Sequence, residues 1–140
     1  MESLLVKYIF AFLVGLIFGI EREIKAKPAG MRTHVLVALG ALTFTLVAID
    51  VFGIDAARIV ANLIVGIGFI GAGTIMKHEE KVIGLTTAAS LWLVTAVAMA
   101  IGTNQYNLAF LSTTFGIITL ILKPLERILR QIESQKNNKT

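Results

Sequence analysis

The chain has 140 residues, of which 56% are hydrophobic and 16% charged, and its mean hydropathy is +0.80. That balance excludes an ordinary soluble domain, which needs more polar residues to cover its core. The absence of cysteine excludes disulfides, thiolate metal sites and a cysteine nucleophile. A formal charge of +4 raises nucleic-acid binding, but the positions of the basic residues speak against it.

Five apolar stretches follow one another, at about 3–20, 35–52, 57–76, 84–102 and 106–122. Each is close to the ~20 residues that cross a bilayer. The first is interrupted only by Lys7 and reaches Glu21-Arg22-Glu23 without a small-residue cleavage site, so it reads as a retained span rather than a signal peptide. Inside it, Gly15-Leu16-Ile17-Phe18-Gly19 is a GxxxG, a spacing that lets two helices approach, within one protomer or between two. Glu21 ends the span either as ordinary boundary charge or as a buried carboxylate. Hard cations take oxygen ligands of that kind, so Glu21 is the one metal-ligand candidate. Arg22 can pair with it or snorkel to the interface.

The second span opens at Ala29-Gly30-Met31-Arg32-Thr33-His34. Gly30 permits a sharp turn, and Thr33 can cap the helix. Arg32 and His34 can pair with Glu21 or Glu23. An unperturbed imidazole titrates near neutral pH, so His34 is either a structural polar contact or a pH sensor. Because the first two spans share this loop, Glu21, Arg22, Glu23, Arg32, Thr33 and His34 are expected to converge at one end of the bundle as its functional cluster.

Asp50, Asp55 and Arg58 mark the opposite turn, and Asn62 lies one helical turn inside the third span, where it needs a hydrogen-bond partner. Gly66, Gly68, Gly71 and Gly73 crowd the rest of that span. Gly66-Ile67-Gly68-Phe69-Ile70-Gly71 spells GxGxxG, but no strand or βαβ unit surrounds it. The glycines are better read as a packing face turned toward the first or fourth span. Lys77-His78-Glu79-Glu80-Lys81 is a short charged loop. Thr86, Thr87 and Ser90 then supply small hydroxylated contacts on the fourth span, and Trp92, deep in that span, is expected to pack with its indole N–H bonded. After Leu122, Leu125, Ile128, Leu129 and Ile132 recur at helical spacing with Arg127 and Arg130 between them, an amphipathic extension for an anionic surface. No paired-histidine motif, nucleophile elbow or GK[ST] P-loop occurs, so no enzyme is expected.

The blocks GLIFGIEREIKAKPAGMRTHVLVALGALTF (15–44), RIVANLIVGIGFIGAGTIM (58–76) and VIGLTTAASLWLVTAVAMAIG (82–102), together and in order, resemble the MgtC/SapB family over roughly residues 10–125. The resemblance implies a bacterial cytoplasmic-membrane protein tied to magnesium limitation and, in pathogens, to survival inside host cells. It implies a regulator of other membrane proteins, the proton-translocating ATP synthase among them, or a transporter of magnesium or another cation that works as an oligomer. Longer members carry a soluble ACT-like domain after the fifth span. Here the expected division is a membrane domain at 1–125 and an amphipathic or disordered tail at 126–140.

The expected architecture is thus an all-α bundle of five transmembrane helices, a homodimer in the lipid bilayer of the inner membrane. Magnesium is the one ion the resemblance brings into view, and no nucleic acid is expected as a partner. Eleven of the thirteen lysines and arginines fall in the first loop, the third loop and the C-terminal segment. The positive-inside rule then puts the N-terminus outside and the C-terminus in the cytoplasm. A Ser134→Cys variant should therefore resist an impermeant thiol reagent in intact cells, and labelling there reverses the orientation.

Overall fold

The computed structural model describes residues 2–78 and 81–122. In order they form α1 (Glu2–Ile24), α2 (Met31–Phe52), a 3-10 turn (Gly53–Asp55), α3 (Ala56–Gly73), β1 (Met76–His78), β2 (Lys81–Ile83), α4 (Leu85–Gly102) and α5 (Tyr106–Ile121). Among the described residues three helical stretches are long and apolar enough to cross a membrane: Leu4–Ile24, Met31–Gly73 and Leu85–Gly102. The second contains both α2 and α3, which pack on each other across the 3-10 turn. Tyr106–Ile121 is apolar but shorter. The amphipathic extension read from residues 123–140 lies outside the described residues.

The fold is a membrane-helical bundle centred on α4, against which α1, α2, α3 and α5 all pack. Burial agrees: 56% of the α4 span lies inside the protein, against 28% for each of the other two. Alanines make this possible, because Ala98, Ala100 and Gly102 let neighbours close in on several sides. Phe18, Leu42, Leu91 and Ile101 fill the centre with no exposure to speak of. The same inward face takes Leu91 and Val94, which leaves Trp92 about 100° round the helix. Trp92 is 55% exposed, so the expectation that it packs inside is overturned.

The pairing of α1 with α2 is the most extensive in the molecule, and glycine is the reason. A Cβ at Gly15 would stand 2.7 Å from Val35 Cα and 2.8 Å from the His34 carbonyl oxygen, and one at Gly19 would strike Met31 Cα. The GxxxG of the first span is a contact within the protomer. The glycines of α3 behave differently. A Cβ at Gly71 would stand 3.5 Å from Ala88 Cβ of α4, an ordinary contact, but one at Gly66, Gly68 or Gly73 would meet nothing within 4 Å. Only Ile67 and Gly71 of α3 are buried. The expected Gly66–Gly73 packing face is therefore corrected: one glycine touches α4, and the remaining stripe faces outward because α3 leans on the bundle along a single edge.

Hydroxyls inside the spans are mostly silenced by their own helix. Thr45 donates to the Ala41 carbonyl at 2.8 Å and Thr95 to the Leu91 carbonyl at 3.0 Å, the back-bonding that keeps a hydroxyl satisfied without a partner helix. Helix ends are closed from α1. Lys7 Nζ donates to the Gly102 carbonyl at 3.0 Å and Lys25 Nζ to the Leu120 carbonyl at 3.1 Å. One lysine at each end of α1 thus places a cation on the negative C-terminus of α4 and of α5.

β1 and β2, on either side of residues 79–80, pair antiparallel, with Met76 opposite Ile83 and Lys77 opposite Val82. Val82 and Ile83 favour extended backbone. Gly84 then adopts φ +99°, a left-handed turn that brings it against the Thr74 carbonyl and starts α4.

Two substitutions separate the two glycine faces. Gly19→Ala should lower stability in detergent by about 1–3 kcal/mol through overpacking against α2. Gly66→Ala, with open space around it, should leave stability unchanged or raise it by up to about 1 kcal/mol. Thermal unfolding of both variants checks this, and equal losses would contradict the placement of α3.

Candidate functional site

Among the described residues, the buried polar side chains Arg22, His34, Thr87 and Ser90 gather at the basic end of the bundle, where α1 passes into α2. The geometry starts from Arg22, which is only 4% exposed. Its Nε and Nη2 donate to Glu21 Oε2, and Lys25 Nζ, one turn further along α1, rests against Glu21 Oε1. Lys25 also reaches the end of α5. One carboxylate therefore joins two cations, one buried and one tied to another helix. A divalent cation at Glu21 would meet net positive charge. Among the described residues no group of three or more histidines, aspartates or glutamates is placed to hold a metal ion.

Glu23 leaves this network. It is exposed, and its Oε2 accepts the Met31 N–H at 3.0 Å, an anion on the positive N-terminus of α2. A Cβ at Gly30 would collide with that carboxylate, so the missing side chain at Gly30 is what lets Glu23 reach the helix. Glu23 performs the capping expected of Thr33, which instead lines a groove between α2 and α3. Arg32 is exposed and makes no ion pair among the described residues.

His34 is fully buried. Its Nδ1 lies 2.9 Å from the Gly30 carbonyl oxygen and its Nε2 2.9 Å from Ser90 Oγ on α4. Ser90 Oγ is also 2.8 Å from the Thr87 carbonyl oxygen. Thr87 is buried and its own hydroxyl has no partner among the described residues. Thr86 is exposed. At the other end, Asp55 and Arg58 form an exposed pair at 3.8 Å, which contributes little. Asn62 is exposed and lines the α2–α3 groove.

The expected cluster is thus divided. Glu21 and Arg22 lie close enough to His34 to act on it by charge, while Glu23 serves the loop, and Thr33 and Arg32 point elsewhere. Lys25 and Ser90 belong to the site and were not assigned to it. Lys25 was legible as the residue four after Glu21, a helical ion-pair spacing. The His34–Ser90 bond joins residues 56 apart in sequence, and no local pattern announces it.

These features define an integral membrane protein with its buried charge and its buried imidazole gathered at one end. The chain belongs to the MgtC family, whose model matches residues 8–128. It is 35% identical over 125 residues to YhiD of Escherichia coli K12, a match covering 83% of this chain and 58% of that protein. It is 41% identical over 121 residues to MgtC of Brucella abortus, covering 85% of this chain and 51% of the relative. With SrpB of Synechococcus elongatus the identity is 38%, over 89% of this chain and 79% of the relative. The chain spans little more than half the length of the first two. No solved structure matches it.

Charge removal should discriminate within the cluster. Glu21→Gln leaves Arg22 buried without a counter-charge and should cost about 3–5 kcal/mol. Arg32→Gln should stay within about 0.5 kcal/mol of the parent. Thermal unfolding in detergent measures both, and a tolerated Glu21→Gln would show that Arg22 does not depend on this pair.

Proposed function

We propose that this chain is a cytoplasmic-membrane module of magnesium homeostasis that acts by binding helices of other membrane proteins, with its N-terminus outside and its C-terminus in the cytoplasm. One observation carries the reading: α3 stands on the bundle by one edge and leaves a groove of about 720 Å³ between itself and α2. Gly40 and Gly66 border that groove with no atom near the position of a Cβ, so another backbone could approach closely. Asn62 contributes an amide that a partner helix would satisfy, and Phe44 gives an apolar surface for it to lean on. The link to magnesium is supported by family membership and by the name of the Escherichia coli K12 relative, "Putative magnesium transporter YhiD".

That same name favours a second reading, cation transport by an oligomer. Here α3 would line a path completed by other copies, with Asn62 at its wall. The interior hydroxyls weigh against a path inside one protomer, since Thr45 and Thr95 are bonded to their own helices.

Two measurements on the same preparation separate the readings. Liposomes containing the purified protein should take up no magnesium beyond protein-free vesicles. In native membranes, a photo-crosslinker at Gly66 should capture a different membrane protein, while one at Phe110, an outward residue of α5, should not. Magnesium uptake lost on Asn62→Leu would establish transport instead. Capture of a second copy alone from Gly66 would make the groove a contact of the homodimer.

A further inference from the structure

His34 presents a problem of proton counting. Both ring nitrogens face oxygen atoms, and the Ser90 hydroxyl on one side faces two acceptors at once. A carbonyl oxygen only accepts, so Nδ1 carries its hydrogen and donates to Gly30. Ser90 has a single hydroxyl hydrogen. If that hydrogen goes to Nε2, the ring is neutral and the Thr87 carbonyl loses the hydroxyl. If it goes to Thr87, Nε2 must supply a hydrogen of its own, and the ring is an imidazolium. All three contacts, at 2.9, 2.9 and 2.8 Å, are hydrogen bonds together only in the charged form.

We propose that His34 is a proton-binding site within the bundle, and that proton uptake turns the Ser90 hydroxyl from His34 Nε2 to the Thr87 carbonyl. One proton is taken from water, one N–H bond forms at Nε2, and no other covalent bond changes. Because α2 and α4 are joined at this point, the proton changes the bond that couples them.

The surroundings suit a single titrating group. From α1, Glu21 and Arg22 act on the ring by charge, with Lys25 paired to Glu21. On α2 itself, Arg32 is exposed, and Lys77 on β1 is exposed as well. The sole charge on α3 is Arg58, at its far end, and the α4 and α5 sequences contain none. Glu21 is already shared by Arg22 and Lys25, and Arg22 opposes an imidazolium, so the charged form rests on its hydrogen bonds to Gly30 and Ser90 rather than on a free counter-charge. Thr87, one turn from Ser90 on the buried face of α4, adds a hydroxyl without a partner among the described residues to the same turn. The other buried hydroxyls, Thr45 and Thr95, have fixed acceptors on their own helices. This site stands whether the chain regulates a partner or carries an ion.

The test is nitrogen NMR of the full chain in lipid bilayers, labelled with ¹⁵N-histidine and carrying His78→Gln so that His34 is the only imidazole. Near pH 8 the ring should be neutral with its hydrogen on Nδ1, and toward about pH 5 both nitrogens should become protonated. Ser90→Ala removes the acceptor for the charged form and should weaken proton affinity about tenfold, since hydrogen bonds to ionised groups are the stronger ones. A ring that stays neutral throughout, stays charged throughout, or holds its neutral hydrogen on Nε2 overturns the proposal. So does a folded Ser90→Ala variant with an unmoved titration. Should that variant not fold, the titration of the chain with Ser90 intact decides alone.

Discussion

The structure depends on how closely α1 can approach α2. Lipid offers no hydrophobic drive for two apolar helices to associate, so contact must come from packing and from polar groups that need one another. Gly15 and Gly19 supply the packing by removing two side chains from the line of contact. Once the backbones touch, Glu23 reaches the first N–H of α2, and Glu21 with Arg22 lies within reach of His34. A bulkier residue at position 19 would move the whole basic end apart.

With that end closed, its two cations are provided for. Arg22 has Glu21, and Lys25 has both Glu21 and the end of α5. A charge inside a membrane is tolerated where it faces protein and finds a partner, and this network meets both conditions with the end of α1 and one carbonyl of α5. The closed side of the molecule is therefore α1, α2, α4 and α5 around the Phe18–Leu42–Leu91–Ile101 centre. The side left over is α3, with outward glycines and an outward amide. That division gives the functional reading its physical content: one face is internally satisfied and the other is built for company.

Much of the bundle was legible from the chain. Apolar runs of bilayer length gave the helices, and the Gly15–Gly19 spacing gave a close contact. What escaped depends on rotation and on distance in sequence. The α3 glycines follow the same chemistry as those of α1, but composition does not say which side of a helix meets a neighbour. Trp92 failed as a core residue for that reason. Thr33 looked like the cap of α2 because the rule looks for a nearby hydroxyl, whereas the actual cap is a carboxylate eight residues back. In the site, Glu21, Arg22 and His34 could be named from their place beside one loop. Ser90 could not, because only the fold brings α4 against α2.

Everything outward about this molecule follows from α3 being seated by one edge and open elsewhere. Spin labels placed singly along residues 56–73, one protein per lipid nanodisc, measure it through their accessibility to oxygen dissolved in the bilayer. Accessibility should be low at Ile67 and Gly71, and high at Gly66, Phe69 and Gly73. Low accessibility at Gly66 and Gly73 together with high accessibility at Ile67 would contradict it, by placing the glycine stripe against the bundle.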